Sequence, residues 1–351
     1  MAVNDFRSTS KGDMWLMAVP EISRTDRWAG LMVSEQKLRS YPRIRYMGSK
    51  YKIMPQLLEV FAKLEFTTAL DAFSGSGVVA YGLKALGKKV TANDFLNFPA
   101  EIARATVENS SERITREDLD ILLSPNEDGR DFVQRTFRGL YFPEEDHAFI
   151  DQLWSHLHHF SSLKRSMILA AICLAAARKQ PRGVFTVTDV RYDDGRRFMR
   201  MPLRELFLLA VEEYNNTVFD NGQANKALHG DVFELDPSGY DLVYLDPPYA
   251  PPRDDNDYIK RYHFLEGMSL YWQGVRIMEN TITKKIEKRY TPFAYKSTVR
   301  QALETLFDMF RRSIIVLSYG SNSYPPKEVI YDLLKADRKS TRLNSSHLGI
   351  S

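Results

Sequence analysis

Cysteine is nearly missing from this chain: Cys173 is the only one in 351 residues. A single thiol forms no internal disulfide and builds no cysteine-rich zinc site. It lies between Ile172 and Leu174 in the apolar run Met167 to Ala177. A buried helical position is expected there, which disfavours chemistry that needs a cysteine nucleophile. That run is also the best candidate for a membrane span, and it falls well short of the ~20 apolar residues a span requires. No charged-then-apolar leader opens the chain, so a cytoplasmic protein is expected. A strong excess of one charge is lacking too. The formal net charge is +3, so any case for nucleic acid must come from local clusters. Neither GxGxxG nor GK[ST] occurs, which argues against NAD and against a phosphate loop.

The hydrophobic content of 44 % supports a packed core. Patterned sequence begins near Tyr41, so residues 1–40 form an extension of uncertain structure. The last stretch, DRKSTRLNSSHLGIS over 337–351, has no apolar period and follows a helix predicted over Tyr324 to Ala336. Asp337 to His347 back-translates to something like a sequencing adapter, and we expect an artefactual tail over 337–351. On that expectation the sheet stops after the helix and leaves an unpaired edge.

Thr67 to Phe73 reads as a strand, Ser74-Gly75-Ser76-Gly77 as a turn, and Val78 to Leu86 as a helix stopped by Gly87. Lys88 to Asp94 reads as the next strand, with a helix running on through about Glu108. This is a βαβ unit and predicts a parallel sheet. Further strands are expected at Tyr240 to Leu245 and at Arg312 to Tyr319. A largely helical insert, 97–223, separates the halves.

In an open parallel sheet, ligands sit beyond the carboxyl ends of the strands. The run from Asp71 to Gly77 places two glycines there, either as a plain turn or as a cradle. Asp94 ends the next strand, where nucleotide folds hold ribose hydroxyls; the bland alternative is a helix cap. A ribose-containing ligand without phosphates fits, and S-adenosyl-L-methionine is the obvious one. Asp246-Pro247-Pro248-Tyr249 ends the strand YDLVYL. The exocyclic amine of adenine is a poor nucleophile because its lone pair is delocalised. The Asp246 carboxylate and the Pro247 carbonyl can accept its two N–H groups. Pro248 restrains the residue before it, and Tyr249 offers a stacking face worth roughly 1–3 kcal/mol per base.

At this point the chain resembles the DNA adenine-specific (N6) methyltransferases of the Dam-like D12 class, over roughly Tyr41 to Ala336. The resemblance implies a Rossmann-like, S-adenosylmethionine-dependent methyltransferase sheet of α/β class. It implies a catalytic domain over 41–96 and 224–336, and a DNA target-recognition region in the helical insert 97–223. Asp246, Pro247, Pro248 and Tyr249 match the catalytic motif. The lysine-bearing motif appears in Arg45 to Lys50, with Tyr46, Gly48 and Lys50 expected at the cofactor. Asp71, Phe73, Gly75, Gly77, Asp94, Asp231 and Asp246 complete the expected cofactor site. Tyr262-His263-Phe264-Leu265 resembles the segment that walls both sites, and His263 is not expected to act as an acid or base. No metal is called for.

For DNA, the insert offers eight basic residues against three acids between Arg178 and Arg204. Val184 to Tyr192 alternates like a strand, Asp193-Asp194-Gly195 is a turn signal, and Arg196 to Arg200 would be the return strand. Arg182, Arg196, Arg197 and Arg200 are then expected at double-stranded DNA, alternatively on a solvated face. A cognate restriction endonuclease is the expected protein partner. The tetrapeptide also suits the amino group of cytosine (N4), adenine in RNA, or a glutamine amide, and a shortened chain would bind DNA and cofactor without turnover.

Overall fold

The structure is a computed structural model and describes residues 14–18, 34–186, 195–248, 258–320, 323–337 and 346–350. Strand β1 (Met14–Ala18) precedes a short helix α1 at 34–39 and helix α2 (Met54–Ala62). The expected unit follows as β2 (Thr68–Asp71), α3 (Val78–Ala85) and β3 (Lys89–Asp94). Helix α4 (Asn97–Ala103) continues as a π-turn to Glu108. Next come α5 (Arg116–Leu122), α6 (Phe132–Thr136), α7 (Glu144–His156) and α8 (Ser162–Arg178). A single turn α9 (Arg197–Arg200) and α10 (Leu203–Asn215) complete the helical run. The chain returns through β4 (Lys226–His229) and β5 (Leu242–Leu245). Last are α11 (Tyr258–Leu270), α12 (Val299–Met309), β6 (Ile314–Gly320), α13 (Lys327–Asp337) and β7 (Ser346–Ile350).

The described strands form one sheet in the order β4-β3-β2-β5-β6-β1-β7. The first five are mutually parallel, while β1 pairs antiparallel with both β6 and β7. Strand direction of travel along the sheet reverses between β2 and β5. That switch point opens a crevice at the carboxyl ends, where an α/β sheet binds its ligand.

The four strands predicted outside the insert form, with ends within two residues of those expected. Strand β5 is buried along its whole length, as a strand covered on both faces must be. The apolar run around Cys173 lies within α8, buried from Ser166 to Ala177. Among the described residues no helix is long and apolar enough to cross a membrane. Burial raises the Cys173 thiol well above its ordinary value, so it is no nucleophile.

Three expectations change. Residues Met14–Ala18, within the extension of uncertain structure, pair along β6, so that strand is not the exposed edge expected of it. The tail, read as patternless, contributes the strand Ser346–Ile350 beside them. The return strand Arg196 to Arg200 does not form: Arg197–Arg200 is a turn of helix. Both ends of this stretch are tied to the end of α8. Arg196 donates to the carbonyls of Arg178 (3.2 Å) and Gln180 (3.0 Å), and Lys179 donates to Met201 O (2.7 Å). With its ends pinned, the stretch between closes into a turn. Val184 to Thr186 is not strand either, and the remainder of that predicted strand, with Asp193 and Asp194, lies outside the described residues.

Candidate active site

The crevice at the switch point is a pocket. Its walls come from 46–50, the β2 end and glycine turn, the β3 end, Gly230 to Val232, Asp246 and Pro248, and the start of α11. Of the expected cofactor residues, Tyr46, Gly48, Lys50, Asp71, Phe73, Gly75, Asp94, Asp231 and Asp246 all line it. Gly77 stands just behind, as the left-handed residue that starts α3 (φ 75°). A Cβ there would come within 2.5 Å of the Tyr41 hydroxyl, which donates to Ser76 O at 2.7 Å.

The glycine turn is clamped from two sides. The Gly75 N–H donates to Asp94 Oδ2 at 2.8 Å, and the other oxygen, Oδ1, accepts the Leu96 N–H at 3.0 Å. Asp94 thus ties the glycine turn to the backbone of Leu96, the residue that leads into α4. The ring of Tyr46 covers Gly75, where a Cβ would meet it at 2.8 Å. Tyr46 itself stacks on Tyr262, centroids 5.0 Å apart and planes at 6°, and Tyr262 accepts the Met47 N–H at 2.6 Å.

The carboxylates are crowded in a dry space. Asp71 accepts the Ala80 N–H at 3.1 Å through Oδ2, while its buried Oδ1 has no partner. Burial first, then the charges of Asp246 and Asp94, push the Asp71 carboxyl up to about 8. Burial raises Asp94 to about 6. Lys50, 4 % exposed, forms an ion pair with Asp246 and donates to Gly48 O at 2.7 Å. Three further buried polar atoms of pocket residues, Asn93 Oδ1, Ser74 Oγ and the Tyr244 hydroxyl, also lack partners. Buried polar atoms in native proteins are nearly always satisfied, so four orphans around one cavity mark a place for a polar ligand.

Asp231 lines the far side and holds the Phe233 N–H at 3.1 Å. Phe73 meets Phe293 edge-on, at 5.3 Å between centroids, and Phe233 stacks on the same ring. Phe293, Thr291 and Arg289 come from the connection between α11 and α12. Sequence reasoning missed them, because that connection carries no recognisable spacing. Asn93 and Tyr258 were missed as well.

Tyr249 lies outside the described residues. Tyr262, His263, Phe264 and Leu265 are all buried. The His263 ring donates from Nε2 to Phe185 O at 2.9 Å, and burial drops its pKa to about 4. It stays neutral and supports packing. Of the expected DNA residues, Arg182, Arg197 and Arg200 are exposed, whereas Arg196 is committed to the end of α8.

The profile of the D12 class N6 adenine-specific DNA methyltransferases matches residues 46–276. The Type II methyltransferase M2.HphI of Haemophilus parahaemolyticus is 27 % identical, over 88 % of this chain and 92 % of that protein. The Type II methyltransferase M.FokI of Planomicrobium okeanokoites is 24 % identical over 84 % of this chain. The modification methylase StsI of Streptococcus sanguinis is 23 % identical over 83 % of it. The chain spans about half the length of these last two, 47 % and 46 % respectively. No solved structure matches it significantly. With two thirds of the chain inside one family profile, and that profile covering the whole lysine-to-tetrapeptide arrangement of the pocket, the chain belongs to the D12 class N6 adenine-specific DNA methyltransferases.

Proposed function

We propose that the protein methylates the N6 amino group of adenine in a specific double-stranded DNA sequence, using S-adenosyl-L-methionine and flipping the target base. The observation that carries this is the switch-point pocket, with its unsatisfied Asp71, Asn93 and Ser74 atoms facing Lys50 and Asp246.

The donor set suits the cofactor. Asp94 and the turn it holds would take the ribose, Asp231 and the Phe73–Phe293 wall the adenine, and Asp71 the cationic end. Lys50 would counter the methionine carboxylate. When bound, the cofactor supplies a methyl group on a positively charged sulfur. The chain's own residues do the rest. Asp246 and the Pro247 carbonyl accept the two N–H groups of the flipped adenine and turn its lone pair toward the pocket. Pro248 keeps that carbonyl fixed, and Tyr249 would stack on the base. Positioning of this kind can supply effective molarities of ~10⁵–10⁸ M.

The insert 97–223 is proposed as the target-recognition region, with 41–96 and 224–336 as the catalytic domain. Arg182 follows from packing: a Cβ on its neighbour Gly183 would meet Arg45 at 2.7 Å, so this exposed arginine sits beside the 45–50 segment. A second contact is the hairpin closed by the Ile277–Ile286 bridge. Ile282 at its tip is 79 % exposed, followed by Lys284 and Lys285. The adjacent Thr283 carbonyl accepts the Tyr141 hydroxyl at 2.6 Å, which also meets the His263 ring at 3.2 Å. His263 is one helical turn from the pocket residue Ile259. An apolar tip flanked by lysines suits a duplex opened at a flipped base. The names of the relatives support a restriction–modification setting with a cognate endonuclease.

Incubation with tritiated S-adenosylmethionine and duplex DNA, then nucleoside analysis, tests the reading. Label in N6-methyladenine is expected. Transfer to single strands alone, or to no nucleoside, would overturn it.

A further inference from the structure

Away from the pocket, three histidines converge on one glutamate. Helix α7 ends at His156 and runs into a 3₁₀ turn, Leu157–His159. Facing it is the connection between α5 and α6, which carries Glu127. His159 Nε2 is 2.8 Å from Glu127 Oε2, and His158 Nε2 is 3.1 Å from Glu127 Oε1. The two rings lie side by side, 3.9 Å between centroids. We propose that Glu127, His158 and His159 form a binding site for a divalent transition-metal cation of the Zn²⁺ type, held in register by His156.

The donor atoms of these three residues all lie within 4.8 Å of one another. An ion held at ~2.0–2.2 Å by tetrahedral ligands spaces them by roughly 3.5 Å, so shifts of about 1 Å would close the site. Two imidazoles and one carboxylate are a borderline donor set. They suit Zn²⁺ and its neighbours, and not Mg²⁺ or Ca²⁺, which want oxygen. Three protein ligands leave a fourth position for water. Two imidazoles bring their Nε2 atoms to opposite oxygens of the same carboxylate, so small rotations of the three side chains would aim all the donors at one ion.

The support behind the ligands is rigid. His156 is 2 % exposed, and its Nδ1 lies 2.9 Å from Glu127 Oε2. Its Nε2 faces the carbonyls of Ser124 (3.3 Å) and Pro125 (3.1 Å). The Glu127 N–H donates to Ser155 Oγ at 3.2 Å. Partners of this kind orient a metal-binding carboxylate, and their loss typically costs 10–100-fold in affinity. Glu127, His158 and His159 are 37 %, 61 % and 40 % exposed, so an ion can enter. None of the four residues lines the cofactor pocket. The bound ion would tie the 123–131 connection to the end of α7 and stiffen the insert without touching the chemistry.

The test is calorimetric titration of Zn²⁺ into the full-length, untagged protein. About one equivalent should bind, and the melting temperature should rise by a few degrees at a hundredfold excess over the dissociation constant. His158→Ala with His159→Ala should abolish both effects. Glu127→Gln should weaken binding at least tenfold, and His156→Asn by 10–100-fold. Because His156 is buried, the exposed double variant carries the test if that last protein does not fold. No stoichiometric Zn²⁺ binding by the wild type, or equal binding by the double variant, overturns the proposal.

Discussion

Two sets of buried carboxylates occupy this molecule, and they are treated differently. In the helical insert, Asp146 is paired with Lys179 and accepts the Leu203 N–H at 2.8 Å. Asp151 accepts from Val133 N (3.0 Å), Gln134 N (3.1 Å) and the Tyr271 hydroxyl (2.6 Å). At the switch point, Asp71 is equally buried but keeps one oxygen bare, and its proton affinity rises accordingly. Burial alone therefore does not set these acids apart; the hydrogen bonding of Asp71 does. The first set holds helices together. At the switch point Asp94 uses both oxygens and Asp246 is paired with Lys50, whereas Asp71 keeps an acceptor that an incoming cation would complete.

The sharpest challenge to this contrast is Asp246→Asn. It keeps the shape and removes the charged acceptor, so kcat should fall by about 10²–10³-fold, as read by single-turnover transfer. Buried Lys50 loses its counter-charge in the same variant, so folding stability should fall too, as read by urea denaturation. Lys179→Met should spare the transfer step. Leaving Asp146 buried and unpaired should cost about 3–5 kcal/mol of folding free energy, with cofactor affinity intact in calorimetry. Asp71→Asn sharpens the comparison through pH. The folded-state value near 8 lies above the ordinary 3.8, so the folded protein holds the extra proton between them. Folding stability should decline as pH rises through that window and level off above 8. Affinity for a cationic cofactor should rise over the upper part of the same window, by about tenfold for each unit of pKa coupling. The Asn variant should show neither slope. Gly75→Ala should weaken cofactor binding and cost about 1 kcal/mol, because φ is +49° there and Tyr46 covers the position. Smallest is Arg196→Ala, expected to lose about 1 kcal/mol of stability with DNA affinity unchanged. Lys284→Glu with Lys285→Glu should weaken DNA binding and flatten its salt dependence. The opposite pattern would return Arg196 to the DNA.

The parallel sheet and the pocket at its carboxyl ends were legible because their signals are local. An apolar strand running into Asp246, and a glycine turn running into Val78, are fixed by neighbours in sequence. Lys226–His229 was overlooked because it is short and only partly buried. The return strand failed because long-range ties from Arg196 and Lys179 to α8 and Met201 overrode the hairpin signal. Met14–Ala18 gave no period to read, and its place in the sheet is set by β6. Phe293 and Arg289 reach the pocket by tertiary packing alone. The chemistry of the site was thus written in contiguous residues, while its aromatic wall was not.

Helix α11 begins at the pocket and then runs into the insert. Ile259, Tyr262, Phe264, Leu265 and Met268 belong to one continuous core with α7, α8 and α10, and Glu266 receives the N–H groups of Asn97 (3.0 Å) and Phe98 (3.2 Å). On the proposed role of the 97–223 insert in target recognition, that segment is therefore not a unit of transplantation by itself. A chimaera that imports those helices without their matching α11 would inherit a mismatched seam directly under the pocket, and its defect would present as a damaged pocket, not as altered sequence preference.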